Sequence, residues 1–162
     1  IALLKTAKYT VERPLHIGAL VAEPATHPSV LGALSNFGIP LGIAFQMRDD
    51  VLGVFGDPTV TGKPAGDDLR ESKPTALVAS ALVAATADQA KILARVGDPS
   101  LDGRAVEAIR SVLVDTGALA TTESRIRELT DEALGAIEQI DLAADVKSQF
   151  IELAHAVARR SA

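Results

Sequence analysis

The sequence has no cysteine, no tryptophan and few aromatic residues of any kind. Aromatic residues make up 3% of its 162 positions, while hydrophobic residues together make up 48%. Without cysteine, the chain can have neither a disulfide framework nor thiolate chemistry. Its apolar residues are mainly Ala, Leu, Val and Ile, which favours closely packed helices over a sheet rich in aromatic and β-branched residues. We therefore predict an all-helical protein with a sizeable core.

An excess of positive charge is also missing, because 21 acidic residues outnumber 16 basic ones and leave a net charge of −5. This balance argues against a general nucleic-acid-binding protein, which normally carries a basic surface. Anionic substrates remain open, since local lysines and Mg²⁺ can reverse the potential inside a cleft. No uninterrupted apolar run reaches the roughly 18 residues that span a bilayer. We expect a cytoplasmic protein with no stable membrane insertion.

Helical periodicity runs through most of the chain. It predicts helices over about residues 1–10, 13–22, 29–56, 75–86, 87–96, 101–115, 119–140 and 143–160. Because the chain begins with Ile1 inside a helical pattern, we expect it to be part of a longer protein.

Two adjacent aspartates lie in the most distinctive segment of the sequence. At about 100° per residue, one broad helical face carries Gln46, Asp49, Asp50, Gly53 and Asp57. Carboxylates beside an apolar segment are costly unless they are solvated, paired or bound to a metal. Mg²⁺ is commonly held by one or two carboxylates, with waters and phosphate oxygens completing its shell. The simpler alternative is an exposed pair with Arg48 as its local partner.

A loop rich in glycine, proline and charge is predicted over residues 57–74. Loops longer than about 12–15 residues in compact domains are usually functional or disordered. Lys63 lies among glycines that permit close backbone approach to a ligand, Lys73 follows it, and a lysine acts as a point charge for phosphate. A solvated loop without a ligand is the alternative. The Gly62-Lys63 pair is not a P-loop, because Pro64 stands where Ser or Thr is required.

Four elements, taken in order, resemble those of a known family. They are Lys5-Thr6, the segment from Gln46 to Asp50, the segment from Gly62 to Asp67, and Lys73. In this order and at this spacing they resemble the trans-isoprenyl diphosphate synthases, or polyprenyl synthetases. The resemblance implies an all-α, isoprenoid-synthase-type helical bundle, usually a homodimer, with residues 1–162 as the carboxyl-terminal portion of one domain.

The resemblance also implies the chemistry. Members of this family are Mg²⁺-dependent trans-prenyltransferases of isoprenoid biosynthesis. They condense isopentenyl diphosphate with an allylic diphosphate to give a longer trans-polyprenyl diphosphate. Mg²⁺ ions, as a rule held by two Asp-rich motifs, bridge the allylic diphosphate and stabilise it as it leaves.

Roles for individual residues follow from the same resemblance. Asp49 is implied as a metal ligand for Mg²⁺, with Asp50 supporting that site. Lys5, Lys63 and Lys73 are implied to bind the allylic diphosphate and to neutralise charge as the C–O bond breaks.

Two further residues are expected near the developing carbocation. Gln46 would lie along the allylic substrate, and Thr6 would add a hydroxyl beside it. Closure of the loop over the site would exclude water. The residues implied in the chemical steps are thus Lys5, Thr6, Gln46, Asp49 and Lys63.

The sequence departs from the family pattern in two respects. The second motif usually reads Asp-Asp-x-x-Asp, but Gly53 occupies its last position, and Asp57 is a candidate substitute. The first Asp-rich motif is absent from this chain. We therefore expect the chain to supply the second metal and diphosphate motif and to lack turnover by itself.

Two other functions remain open at this point. A terpene cyclase or a noncatalytic partner subunit of the same fold is suggested by Gly53, although the Gly62–Lys73 segment favours prenyl transfer. A helical interaction module without a ligand is the third possibility, and Mg²⁺-dependent diphosphate binding discriminates against it. The resemblance implies that the isopentenyl diphosphate contacts and the determinants of product length lie mostly in the half of the domain that carries the first motif.

Overall fold

The computed structural model describes residues 2–62, 66–71 and 73–159. Within these ranges all regular structure is helical and no strand occurs, which confirms the all-α prediction. A π-helix, Ala2–Glu12, comes first. The α-helices that follow are α1 (Arg13–Ala22), α2 (Pro28–Phe55), α3 (Pro58–Thr61), α4 (Asp67–Arg70), α5 (Ala76–Ala84), α6 (Ala87–Leu93), α7 (Gly103–Asp115), α8 (Ala118–Glu138) and α9 (Ala144–Arg159).

Side-chain caps determine where several of the predicted helices begin. The Thr75 side chain accepts a hydrogen bond from the backbone N–H of the third residue of α5. Thr86 and Gln89 form a capping box at the start of α6. The Asp102 carboxylate accepts from Ala105 N at 2.8 Å at the start of α7. Each cap satisfies an amide that the first helical turn leaves without a partner.

The segment predicted as one continuous loop, residues 57–74, contains two short helices instead. Pro58 opens α3, and the Asp57 carboxylate caps it by accepting from Thr59 N at 2.8 Å. Gly66 adopts a left-handed conformation, with φ at 72°, immediately before α4. The prediction missed these turns because a four-residue helix leaves too little periodicity to recognise. Residues 63–65 and residue 72 lie outside the described part of the chain.

The helices divide into two compact units, of which the first comprises the described residues 2–46 and 125–159. Its core includes Leu34, Phe37 and Leu41 from α2, together with apolar residues of α8 and α9. The Phe37 and Phe150 rings meet edge to face, with their centroids 5.1 Å apart.

Within the first unit, the π-helix packs directly against α2. A Cβ added to Gly42 would lie 2.4 Å from Ala7 Cα, closer than real side-chain carbons approach. Only glycine at residue 42 permits this backbone approach. The contact places residues near Ala7 one helical turn from Gln46.

The second unit comprises the described residues between 47 and 124. Its core is built around α7, whose Ile109 and Leu113 are fully buried with Leu77 and Leu69. Arg110 Nε, also on α7, donates to the Val54 carbonyl at 2.7 Å. This bond satisfies a carbonyl in the last turn of α2, which lacks an intrahelical partner.

One described helix, Pro28–Phe55, is long and apolar enough to cross a membrane by length and composition alone. A buried helix in the core of a folded bundle passes the same test. This helix contributes Phe37 and Leu41 to one core and Val54 to another, so the finding is weak evidence for a membrane span.

Replacement of Gly42 by alanine should weaken the first unit. The added Cβ meets the Ala7 backbone, so the free energy of unfolding should fall by about 1–3 kcal/mol. Urea denaturation measures this change. Gly32→Ala is the matched control, because a Cβ there meets nothing within 4 Å on the same helix and should stabilise by up to about 1 kcal/mol. Equal effects of the two substitutions would contradict the close approach.

Candidate functional site

Thr6 and Gln46, two of the predicted site residues, meet in the first unit. Thr6 Oγ1 donates to Gln46 Oε1 at 2.6 Å, and Thr6 is buried, with 6% of its surface exposed. The approach at Gly42, one turn before Gln46 on α2, explains why two residues far apart in the sequence come together. Lys5, the residue before Thr6, is exposed on the π-helix.

The two aspartates lie on α2 in the second unit. Asp49 is exposed and Asp50 is half-buried. Arg48 is not their local partner, in contrast to the simpler interpretation of the sequence. Its Nη1 and Nη2 atoms donate to the two carboxylate oxygens of Glu123, at 2.6 and 2.8 Å. No described cation is paired with Asp49.

The contact between Arg48 and Glu123 is bidentate and largely removed from water. The two side chains are 14% and 28% exposed, and Arg48 Nε is buried without a hydrogen-bond partner in the described structure. A planar guanidinium that meets both oxygens of a carboxylate is held in direction as well as position. Glu123 is not among the residues predicted from the sequence, where it is one of several charged residues on the amphipathic helix α8.

Lys73 is held by a buried carboxylate that the sequence analysis also overlooked. Lys73 Nζ donates to Asp68 Oδ1 at 2.6 Å and lies 3.3 Å from a Glu71 oxygen. The hydrogen bond with Asp68 raises the pKa of Lys73, although burial acts to lower it. The raised pKa means that the pair stabilises the fold below the ordinary lysine value of about 10.4, and that this contribution is lost as pH rises through the folded-state pKa.

Asp57 is the candidate substitute for the missing carboxylate of the motif. Its side chain binds Thr59, two residues further along the chain. Its Oδ1 accepts hydrogen bonds from the Thr59 backbone N–H and hydroxyl, at 2.8 and 2.7 Å. These bonds lower the pKa of the Asp57 carboxyl group. Asp57 therefore serves as the N-cap of α3.

The described residues contain no group of three or more His, Cys, Asp or Glu side chains placed to hold a metal ion. Asp49 and Asp50 are two carboxylates, which is the number Mg²⁺ commonly takes from a protein when phosphate and water supply its other ligands. Of the predicted diphosphate contacts, Lys5 lies in the first unit and Lys73 in the second, while Lys63 lies outside the described residues. The roles assigned to these residues stay predictions.

Comparison with protein families gives a match to the family described as polyprenyl synthetase, over residues 1–113. A geranylfarnesyl diphosphate synthase of Aeropyrum pernix is 37% identical over 139 residues, or 86% of this chain and 42% of that protein. A geranylgeranyl diphosphate synthase of Mycobacterium tuberculosis is 50% identical over 66 residues, which cover 41% of this chain and 18% of that protein.

Solved structures resemble the chain over nearly its whole length. A geranylgeranyl pyrophosphate synthase from Corynebacterium glutamicum, complexed with isoprenyl diphosphate and magnesium, has a TM-score of 0.92 and 40% identity over 98% of this chain and 45% of that chain. A polyprenyl synthase from Caulobacter crescentus, complexed with calcium and isoprenyl diphosphate, has a TM-score of 0.87 and 29% identity over 99% and 48%. These similarities confirm the predicted helical fold. The chain spans less than half the length of each relative named.

Removal of the Arg48 side chain should destabilise the second unit. Arg48→Ala leaves the Glu123 carboxylate partly buried without its cation, so the free energy of unfolding should fall by about 2 kcal/mol. Urea denaturation at neutral pH provides the measurement. The exposed pair of Lys91 and Asp88 supplies the control, because Lys91→Ala should cost less than about 0.5 kcal/mol. A cost for Arg48→Ala as small as that of the control would contradict the assigned contact.

Proposed function

This chain belongs to the polyprenyl synthetase family, and from that premise we propose that it is the carboxyl-terminal portion of a Mg²⁺-dependent prenyl diphosphate synthase domain. The whole enzyme would condense isopentenyl diphosphate with an allylic diphosphate to give a longer trans-polyprenyl diphosphate. The observation that carries the proposal is the exposed Asp49 carboxylate, which is left without a described cation because the neighbouring Arg48 binds Glu123.

Asp49, supported by Asp50, is the proposed position for Mg²⁺. The donor set fits, because this ion takes one or two carboxylates and leaves its remaining ligands to water and phosphate. When bound, Mg²⁺ neutralises charge on the diphosphate and orients it as a leaving group. The chain itself contributes the accessible carboxylate of Asp49 on α2. The contact between Arg48 and Glu123 holds this part of α2 in place. Complexes of relatives with isoprenyl diphosphate and magnesium or calcium support this assignment.

The lysines would neutralise the diphosphate as the C–O bond breaks. Asp68 restrains the position of the Lys73 ammonium, and their hydrogen bond raises the pKa of that lysine. A cation fixed before the reaction stabilises developing negative charge without having to reorganise. The roles of Lys5 and Lys63 in binding the diphosphate stay predictions from the family resemblance.

The paired polar residues of the first unit are proposed to face the allylic carbon chain. The Thr6 hydroxyl donates to the Gln46 carboxamide oxygen and so restricts rotation of that amide. A fixed amide dipole can stabilise positive charge that develops on the allylic group. Homodimer formation and a cytoplasmic location stay predictions from the family resemblance.

Mg²⁺-dependent binding of inorganic pyrophosphate tests the assigned position. Isothermal titration calorimetry should detect binding with Mg²⁺, and Asp49→Ala should weaken it by about tenfold or more because a charged ligand is lost. Asp115→Ala removes an exposed carboxylate at the end of α7 and should leave the affinity unchanged. The same loss in both variants would refute the role of Asp49. Absence of binding in the unchanged protein would favour a noncatalytic partner subunit.

The 162-residue chain by itself should show no steady condensation of isopentenyl diphosphate with an allylic diphosphate. The first Asp-rich motif, implied to hold part of the metal cluster, is absent from this sequence. Product extraction and chromatography after incubation with Mg²⁺ measure turnover. Sustained product formation by the chain alone would show that this motif is dispensable.

A further inference from the structure

A carboxylate from another helix fills the space beside Gly53. A Cβ added to Gly53 would lie 2.1 Å from Asp68 Oδ2 and 2.4 Å from Asp68 Cγ. Gly53 lies within α2, where the helical backbone suits other residues at least as well as glycine. The reason for glycine at this position is therefore the presence of Asp68, because any side chain here requires that carboxylate to move.

The space beside Gly53 lies on the same face of α2 as Asp49 and Asp50. Gly53 follows Asp49 by four residues and Asp50 by three, and residues at these spacings are neighbours on a helix, with about 5–6 Å between their Cβ atoms. The Asp68 carboxylate thus lies where a side chain at residue 53 would begin. This is the fifth position of the acidic motif, where the sequence has no carboxylate.

The two oxygens of Asp68 have different surroundings. Oδ1 accepts from Lys73 Nζ at 2.6 Å. Oδ2 is the atom nearest to the Cβ position of Gly53, and no described residue donates a hydrogen bond to it. Asp68 is 5% exposed. The Asp68 carboxylate therefore binds the Lys73 ammonium through one oxygen and lies beside the acidic face of α2 with the other.

Helix α4 holds Asp68 in this place. The next residue, Leu69, is buried in the core of the second unit, and its carbonyl accepts from Gly97 N at 2.7 Å. Arg70 Nε donates to the Leu101 carbonyl at 3.1 Å. Because its neighbours are fixed by packing and hydrogen bonds, the backbone presents Asp68 to Gly53 in a defined direction.

We propose that Asp68 takes the place of the missing third carboxylate of the acidic motif, entering the space that Gly53 leaves open, and that it positions Lys73 beside that motif. This inference rests on the proposed function for its role in diphosphate binding. Asp68 is a positioning residue that acts through Lys73 and through the acidic face. The motif is then composite in position only: α4 places a carboxylate beside the two of α2, and the three do not form a metal-ligating group in the described structure.

A double-mutant cycle tests the shared space independently of any ligand. Gly53→Ala in the unchanged background should lower the unfolding temperature, because Asp68 must turn away from Lys73. In the Asp68→Ala background the same substitution should be neutral or stabilising, since the two carboxylate atoms at 2.1 and 2.4 Å are gone and the Cβ of residue 68 lies 3.0 Å away. The two effects should differ by about 2–4 °C or more. Gly32→Ala should have the same effect in both backgrounds, and additivity at residues 53 and 68 overturns the coupling.

Pyrophosphate binding in the presence of Mg²⁺ tests the role of the composite motif. Asp68→Ala should weaken binding by about tenfold or more. The exchange variant Gly53→Asp/Asp68→Ala should recover most of this loss, because a carboxylate returns to the same face from α2. Asp67→Ala removes one negative charge from the preceding residue and should leave binding unchanged. A structural role alone predicts no recovery in the exchange variant.

The outcomes separate this inference from the function on which it rests. No Mg²⁺-dependent pyrophosphate binding by the unchanged protein overturns the proposed function and the binding role of Asp68 with it. Binding that survives Asp68→Ala, or that the exchange variant fails to recover, overturns the role of Asp68 alone. The unfolding cycle decides the coupling of Gly53 and Asp68 in either case.

Discussion

Arg48 immediately precedes two aspartates, yet its guanidinium binds Glu123, which comes from a different helix. A surface arginine would normally lessen the charge of the acidic residues beside it. Here both of its terminal nitrogens are bound and the side chain is nearly buried, so it cannot turn toward Asp49 without giving up two charge-assisted hydrogen bonds. The contact thus joins α2 to α8 within the second unit and keeps the Arg48 guanidinium away from Asp49.

Two glycines of the long helix α2, Gly42 and Gly53, each leave space for a different group. At Gly42 the absent Cβ admits the backbone of the π-helix, and a hydrogen bond forms one turn later, at Gln46. At Gly53 it admits a carboxylate instead. In both places the residue that matters chemically lies elsewhere in the sequence, while glycine determines how near it can come. A search for reactive residue types overlooks Gly42 because glycine carries no functional group.

Most of the fold could be predicted from the sequence because its determinants are local. Helix α7 begins beside Asp102 and α6 beside Thr86, as their capping residues suggest, and the all-α architecture follows from composition and periodicity. The partners of Arg48 and Lys73 could not be predicted, because Glu123 is far away in the chain and Asp68 belongs to a helix of four residues. Their positions depend on tertiary packing, which periodicity does not encode.

The same holds for the candidate site: its residues could be identified from the sequence, but the contacts between them could not. Asp49 was identified from an acidic pair in a helical pattern, and the family resemblance supplied the roles of Lys5, Thr6 and Gln46. The resemblance named Thr6 and Gln46 without predicting that they hydrogen-bond. At Gly53 the sequence lacks the carboxylate that the motif usually has. A comparison of the motif residue by residue cannot detect Asp68, because that carboxylate comes from another segment of the chain.

The π-helix has a consequence for changes in chain length. Its hydrogen bonds join residues five apart, and its turns contain more residues than those of an α-helix. Deletion of one residue between Thr6 and Glu12 would favour an ordinary α-helical turn and shift the side chains before it relative to α2. The hydrogen bond from Thr6 to Gln46 would then be disturbed. The segment should therefore tolerate substitution at its exposed Tyr9 far better than the loss of a residue between Thr6 and Glu12.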